Sequence, residues 1–409
     1  MTTRSAQLLR IVHARPGVTR AEAARLIGVG TGAATELVGR LGAAGLVHEQ
    51  PAAPSGARGR PTTALVPHPE GPLVAAVSIT HEAWQVAAVE LGGRVVSSTL
   101  GSHRGGDPSV VLGAVRGAVD ALGPRVRGVG VAVTGPVSRD QRVEAVGLGW
   151  HALDLSPLRA GAAVFVVGND AMLAGAAESR RGAAAGAAVA LHVRVAAGIG
   201  GAIVADGRVV TGAIGAAGEF GHLPFGEPGR SCSCGASGCW GNEVDGTALA
   251  RLLGAPRPPD PIAYARRVIA AARAAGGGSA GADLASADLA GADLAGADSA
   301  GADSAGADLA GADLAGAGAE RVAVEEVAGA LGRGIAGLVN GLDPDLVTVG
   351  GLGVEILAAA PDTVHTAYLA GLMRFRRAAA PPLVAATLGD DGPIVGAAEE
   401  AWNVLLEAL

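Results

Sequence analysis

The stretch GEFGHLPFGEPGRSCSCGASGC, residues 218–239, holds all three cysteines of a 409-residue chain. Cys232, Cys234 and Cys239 fall within eight residues, ten or more after His222, and the intervening Gly235 and Gly238 allow the tight turns that let thiolates converge. Three sulfurs and one imidazole nitrogen suit a closed, tetrahedral, structural zinc site. Three Cys in a chain this long cannot form a disulfide framework, and a Cys-x-Cys bridge is strained. Inert thiols or a redox pair are the alternatives, and the clustering of a chain's only cysteines at such turns argues against both.

Outward from this segment the grammar is that of mixed strands and helices. Upstream, Val74 to Ile79, Trp84 to Leu91 and Arg94 to Ser98, joined at Gly92-Gly93, predict a three-stranded meander. A helix over about 110–122, a buried strand Val126 to Val133 and a short strand Val164 to Val167 follow. Val189 to Val195 leads to Gly198-Ile199-Gly200-Gly201 and a hairpin through Asp206-Gly207. Downstream, a helix of about Ala323 to Leu338 precedes a strand Leu346 to Val349 and a Gly350-Gly351 turn. The class is α/β. Gly281 to Gly316 interrupts it with a pentad repeat, Ala-Asp-Leu-Ala-Gly, carrying seven Asp and no base. It resembles pentapeptide-repeat β-helices, but seven units make under two coils. Residues 276–318 are therefore expected to be a flexible acidic insert.

Upstream of about residue 72 the pattern is different. Leu8, Leu9, Ile11 and Val12 have helical spacing before Pro16-Gly17. Thr19 and Glu22 form a capping box for a second helix to about Ile27. After Gly28-Val29-Gly30, Thr31 is expected to cap a third helix to about Ala43, with Ala34, Leu37, Val38 and Leu41 as its apolar face. Leu46-Val47 and Thr63 to Val66 read as two strands of a wing around Arg58-Gly59-Arg60-Pro61. Residues 1–66 carry eight Arg against Glu22, Glu36 and Glu49, in a chain whose net charge is −7. A basic head on an acidic chain predicts a winged helix-turn-helix over residues 1–68 that binds double-stranded operator DNA. Thr31, Thr35 and Arg40 are its third-helix candidates, and Arg58 and Arg60 its phosphate or minor-groove candidates. A solvated loop and a plain helical cap are the bland alternatives.

Composition sets limits. An apolar content of 49% excludes disorder throughout, and aromatics at 2% leave Val, Leu and Ala to build the core. Every basic residue is Arg, a coding bias and not a chemical signal. Neither an N-terminal leader pattern nor an unbroken apolar run of about 18 residues is present, so a cytoplasmic protein without membrane contact is expected.

Several segments together resemble the ROK family (repressor, open reading frame, kinase). They are GEFGH with CSCGASGC, LGWHAL at 148–153, VGNDA at 167–171, AAGIGGAIVADGRVVTGA at 196–213, NGLDPDLVTVGGLG at 340–353 and the terminal GPIVGAAEEAW. The resemblance implies an actin-like ATPase/sugar-kinase (ribonuclease H-like) fold of two lobes over residues 72–409. It implies that Asn169, Asp170, Glu219 and His222 bind a sugar, that Asp170 occupies the position of a kinase's catalytic base, and that His222 is also a zinc ligand. A strand-to-helix turn with Asp170 as N-cap is the structural alternative.

Departures from the family pattern bear on activity. Where kinases place an Asp and glycines after the first strand, this chain has Ser78-Ile79-Thr80-His81, with no acid for a nucleotide's magnesium. Ala196-Ala197 stand where Gly-Thr is usual, and Gly241 stands where a sugar-contacting Glu is frequent, with Glu243 as a candidate substitute. The expectation is a non-enzymatic, monosaccharide-responsive regulator, a repressor, with structural Zn2+, acting as a homodimer or homotetramer. An ATP-dependent sugar kinase with a DNA-binding appendage is the rival, and a DNA-binding protein that has lost its effector is the third reading.

Overall fold

The computed structural model describes residues 3–52, 63–103, 107–275 and 313–409. Arg58, Arg60 and residues 276–312 of the expected insert lie outside them. Helices α1 (Thr3–Ala14), α2 (Arg20–Ile27) and α3 (Thr31–Ala43) lead into strands β1 (Val47–Pro51) and β2 (Thr63–Pro67), which pair antiparallel. The Thr19 hydroxyl accepts from the Glu22 N–H and the Glu22 carboxylate accepts from the Thr19 N–H, as the capping box requires. The start of α3 departs from expectation: Gly30 is the N-cap and Thr31 the first helical residue. Gly30 takes the extended cap conformation, φ −72 and ψ 162, so Thr31 is already wound into the helix.

The first lobe comprises β3 (Leu73–Ile79), β4 (Ala83–Glu90), β5 (Val95–Ser102), α4 (Pro108–Ala121), β6 (Val126–Val133), the hairpin β7 (Arg142–Ala145) and β8 (Trp150–Asp154), and β9 (Val164–Asn169). Its sheet runs β5-β4-β3-β6-β9. Helix α5 (Asp170–Arg181) crosses to the second lobe, which begins with β10 (Val189–Val195), β11 (Ile199–Ala205) and β12 (Arg208–Val209). There follow α6 (Gly246–Leu252), α7 (Pro261–Ala275), α8 (Asp313–Leu342), β13 (Leu346–Gly351), α9 (Leu352–Ala359), α10 (Pro361–Gly371), α11 (Arg374–Arg377), β14 (Leu383–Ala385) and α12 (Gly392–Ala408). Helix α8 starts ten residues before its expected beginning, inside the segment assigned to the insert.

The second sheet runs β12-β11-β10-β13-β14. Each lobe thus repeats one plan: an antiparallel meander whose first strand is extended on its other side by two successive parallel strands. This duplication is the actin-like, two-lobe architecture. Strand β3 is buried at all but one position, so its sequence LVAAVSI shows no polar alternation. Helix α12 returns to the first sheet and lies so close to β6 that a Cβ on Gly130 would stand 2.0 Å from the Ala397 carbonyl oxygen.

The three-helix head has no private core. Leu8, Leu9 and Val12 of α1 share one buried cluster with Trp402, Leu405 and Leu406 of α12 and with Val74, Leu91 and Val164 of the first sheet. Among the described residues no helix is long and apolar enough to cross a membrane.

Candidate functional site

The sheet of the first lobe ends at Asn169, which is also the N-cap of α5. Its Oδ1 accepts from the N–H groups of Ala171 (2.9 Å) and Met172 (3.1 Å), and its Nδ2 donates to the Gly135 carbonyl at 3.1 Å. The cap is therefore Asn169 and not Asp170. Capping fixes the Asn169 rotamer and leaves one amide N–H for a ligand. Asp170 is the first helical residue, at the positive end of the helix dipole, and its Oδ2 accepts from the Thr134 hydroxyl at 3.3 Å.

The second lobe supplies Glu219 and His222 from a short loop against β11. Burial, with a smaller contribution from the Asp170 charge, pushes the Glu219 carboxyl up to about 7. The two lobes thus aim carboxylates at one shared space. His222 is a two-sided connector: Nε2 lies 3.9 Å from Glu219 Oε2, and Nδ1 lies 3.7 Å from Cys232 Sγ. The sugar-site candidates are thus linked in a chain: Asn169 adjoins Asp170, Asp170 acts on Glu219, and Glu219 neighbours His222.

The ligand atoms of His222, Cys232, Cys234 and Cys239 lie within 4.8 Å of one another. Cys234 and Cys239 Sγ are 3.6 Å apart. A tetrahedral centre with Zn–S near 2.3 Å has edges of about 3.8 Å, so the arrangement has the dimensions of a metal centre. Burial pushes the Cys239 thiol up to about 12, with the neighbouring thiols adding to it, so a thiolate there needs a cation. The donor set fits zinc, which these four residues would hold as a closed structural centre. Glu243 does not stand in for the carboxylate missing at Gly241. Arg230 Nε and Arg251 Nη2 each donate to it at 2.8 Å, so it braces the cysteine loop.

The turn between β3 and β4 is closed on itself. The Thr80 hydroxyl accepts from the N–H groups of Glu82 (3.5 Å) and Ala83 (3.3 Å), while Thr80 N–H donates to the Ala83 carbonyl at 2.9 Å. The N–H groups of Thr80 and Ala83, and more loosely that of Glu82, are thereby engaged within the turn. In the second glycine loop Ala196 N–H donates to the Gly198 carbonyl at 2.8 Å.

On α3 the exposed Thr31 and Thr35 are neighbours, with the Thr35 hydroxyl donating to the Thr31 carbonyl at 2.9 Å. Arg40 comes half a turn further round the helix and pairs with Glu36 at 3.2 Å, so it flanks the threonines and does not join them.

Three features escaped the sequence reading. His81 faces the same cleft: burial lowers its basicity, partly opposed by Asp170, and a Cβ on Gly147 would stand 2.4 Å from its Nε2. Beside Asn169 lies a cavity of about 270 Å³ between the lobes. Where the head meets the lobes, Arg181 Nε donates to Glu399 at 2.5 Å, and His13 Nε2 lies 3.2 Å from the other oxygen of that carboxylate.

A family model described as ROK family matches residues 108–402. No curated protein gives a significant match. Among solved structures, a ROK family transcriptional regulator described as a homologue of the E. coli MLC protein is 20% identical. The match covers 99% of this chain and 97% of that one, with a TM-score of 0.65. A ROK family glucokinase from Streptomyces griseus, solved with glucose and AMPPNP, is 24% identical over 81% of this chain and 99% of its own, with a TM-score of 0.62. A ROK hexokinase from Thermus thermophilus is 26% identical over 82% and 99%, with a TM-score of 0.58.

Proposed function

This chain belongs to the ROK family, and on that premise we propose that it is a DNA-binding transcriptional regulator, a repressor released from its operator by a sugar, and not a sugar kinase. One observation carries the choice: the closed turn at Thr80. Phosphoryl transfer needs a base, a metal-held nucleotide and phosphate-cradling backbone at once. Asp170 supplies a base position, but Thr80 consumes the N–H groups of Glu82 and Ala83, and Ser78 offers no carboxylate to a magnesium ion.

The candidate sugar residues favour ligand binding, by contrast: Asp170 acts on Glu219, and His222 stands beside Glu219. Carboxylates and an amide exchange paired hydrogen bonds with vicinal hydroxyls, which suits Asn169, Asp170 and Glu219. Zinc on His222 Nδ1 would fix the ring so that Nε2 faces Glu219 and the sugar. The regulator neighbour spans 99% of this chain and the glucokinase 81%, which supports counting the head as part of a regulator's architecture. In that reading residues 1–68 form a winged helix-turn-helix, and a dimer places two such heads on a two-fold symmetric operator.

Helix α5 joins the two functions. It starts at the sugar ligands and runs about 18 Å to Arg181, whose guanidinium donates to the His13 carbonyl at 3.2 Å and to Glu399. Sugar binding shifts lobe closure by its differential affinity for the closed state, and α5 transmits the shift to the head. The test combines a sugar panel, operator release and an ATP assay on the purified protein. A sugar should bind and release DNA without ADP formation, and Asp170→Ala or Glu219→Ala should abolish release. Robust sugar-dependent ADP formation, lost in Asp170→Ala, overturns the reading in favour of a kinase.

A further inference from the structure

The cavity beside Asn169 lies between the lobes and next to the sugar ligands, yet Asp170, Glu219 and His222 do not line it. Its walls come from the turn before β7, from the edge strand β9, from Met172 of α5 and from the loop at Thr211 to Gly215. The rim is fastened across the cleft: Arg139 donates to the Gly212 carbonyl at 3.4 Å, and a Cβ on Gly215 would stand 2.1 Å from the Val137 carbonyl oxygen. A ligand seated on Asn169 and Asp170 therefore has a second, half-open recess beside it.

The chemistry of that space is specific. Phe165 and Met172 give an apolar wall, and Gln141, Thr211 and Asn169 give neutral hydrogen-bonding groups, while the Ser138 hydroxyl is engaged by Asp140 and Arg142. No carboxylate lines it, and its one guanidinium, Arg139, is tied to the opposite lobe. A phosphate or carboxylate substituent would call for converging cations. A second sugar ring presents both an apolar C–H face and neutral hydroxyls. Gln141 adds a further sign. It sits at φ 63, where a hairpin loop ordinarily uses Gly or Asn, and it is one of the residues that line the cavity.

Resting on the sugar-responsive reading above, we propose that the effector is a disaccharide or longer glycoside, with one ring on Asn169, Asp170, Glu219 and His222 and the next ring in this cavity. Gln141→Gly is the discriminating variant, because glycine accepts the left-handed backbone and removes only the side chain. Calorimetry would compare glucose, galactose, mannose and xylose with maltose, cellobiose, lactose, mannobiose and xylobiose on wild type and variant. At least one disaccharide should bind tenfold or more tightly than its constituent monosaccharides. Gln141→Gly should cut that affinity at least fivefold and leave monosaccharide affinity unchanged. Monosaccharide binding matched or exceeded by no disaccharide, or a disaccharide affinity indifferent to Gln141→Gly, overturns the second subsite and leaves the monosaccharide reading standing. Failure of every sugar to bind overturns both.

Discussion

Arg181→Met isolates the joint between effector lobes and head. Methionine keeps the side chain's reach along α5 but strips the guanidinium from Glu399, whose side chain is 4% exposed. Breaking a buried ion pair by removing one partner costs about 3–5 kcal/mol, because the other charge stays buried and unpaired. Here His13 remains beside Glu399, and Arg181 is itself 22% exposed, so about 2–3 kcal/mol is the fair figure. For a chain of 409 residues that corresponds to a fall in melting temperature of roughly 2–4 °C. Adding Glu399→Leu to Arg181→Met should recover most of the loss, since no unpaired charge is then buried. The assay is thermal unfolding paired with operator binding across a sugar titration. Arg181→Met should bind operator nearly as wild type does without sugar, and should need at least fivefold more sugar for release. A variant that melts within 1 °C of wild type and releases at the same sugar concentration refutes the role given to α5.

The same carboxylate sets a pH dependence. Burial would raise Glu399, but the His13 hydrogen bond, followed by the charges of His13 and Arg181, holds it below its ordinary 4.5. Its stabilisation is therefore present above that value and lost as pH falls through the lower folded one, so the stability gap to Glu399→Gln should close below about pH 4.5. Elemental analysis of purified, unchelated protein should find about one zinc per chain, and Cys234→Ser should lose both the metal and sugar affinity, because His222 is then no longer held. Gly215→Ala should weaken sugar binding roughly tenfold, since its Cβ would collide with the Val137 carbonyl at the cleft rim and its φ of 87 disfavours any side chain. Salt titrations of operator binding should give a slope about two units shallower in Arg58→Ala/Arg60→Ala, and an unchanged slope would remove those arginines from the DNA contact.

How much of this was legible in the chain depended on distance along it. The His/Cys cluster was plain because its four residues lie between positions 222 and 239, and local turn chemistry brings them together. Strands β6 and β10 matched their expected limits because β-branched Val recurs through VRGVGVAV and stands at both ends of VALHVRV. The cap of α3 was misplaced because Gly30 caps by backbone conformation, which leaves no side-chain signature. Glu243 looked like a free carboxylate until the fold set Arg230 and Arg251 against it. The joint at Arg181 was invisible, since its partners His13 and Glu399 are 168 and 218 residues away and periodicity carries no information on such pairings.

The cluster that Leu8, Leu9 and Val12 share with Trp402, Leu405 and Leu406 makes the head and the first lobe one cooperative unfolding unit. Only residues 68–72 separate β2 from β3, too few for a tether that lets the head wander. Amide exchange in α1 should therefore be as slow as in α12, and both should open together in denaturant. Excision of residues 1–68 would uncover Trp402, Leu405 and Leu406, so the truncated lobes should aggregate where a beads-on-a-string effector would stay monodisperse. If the chain is the regulator proposed above, it cannot acquire a new operator by exchanging its head for a foreign one. On that reading new DNA specificity arises by substitution on the outer face of α3, with the α1 residues Leu8, Leu9 and Val12 held constant for α12.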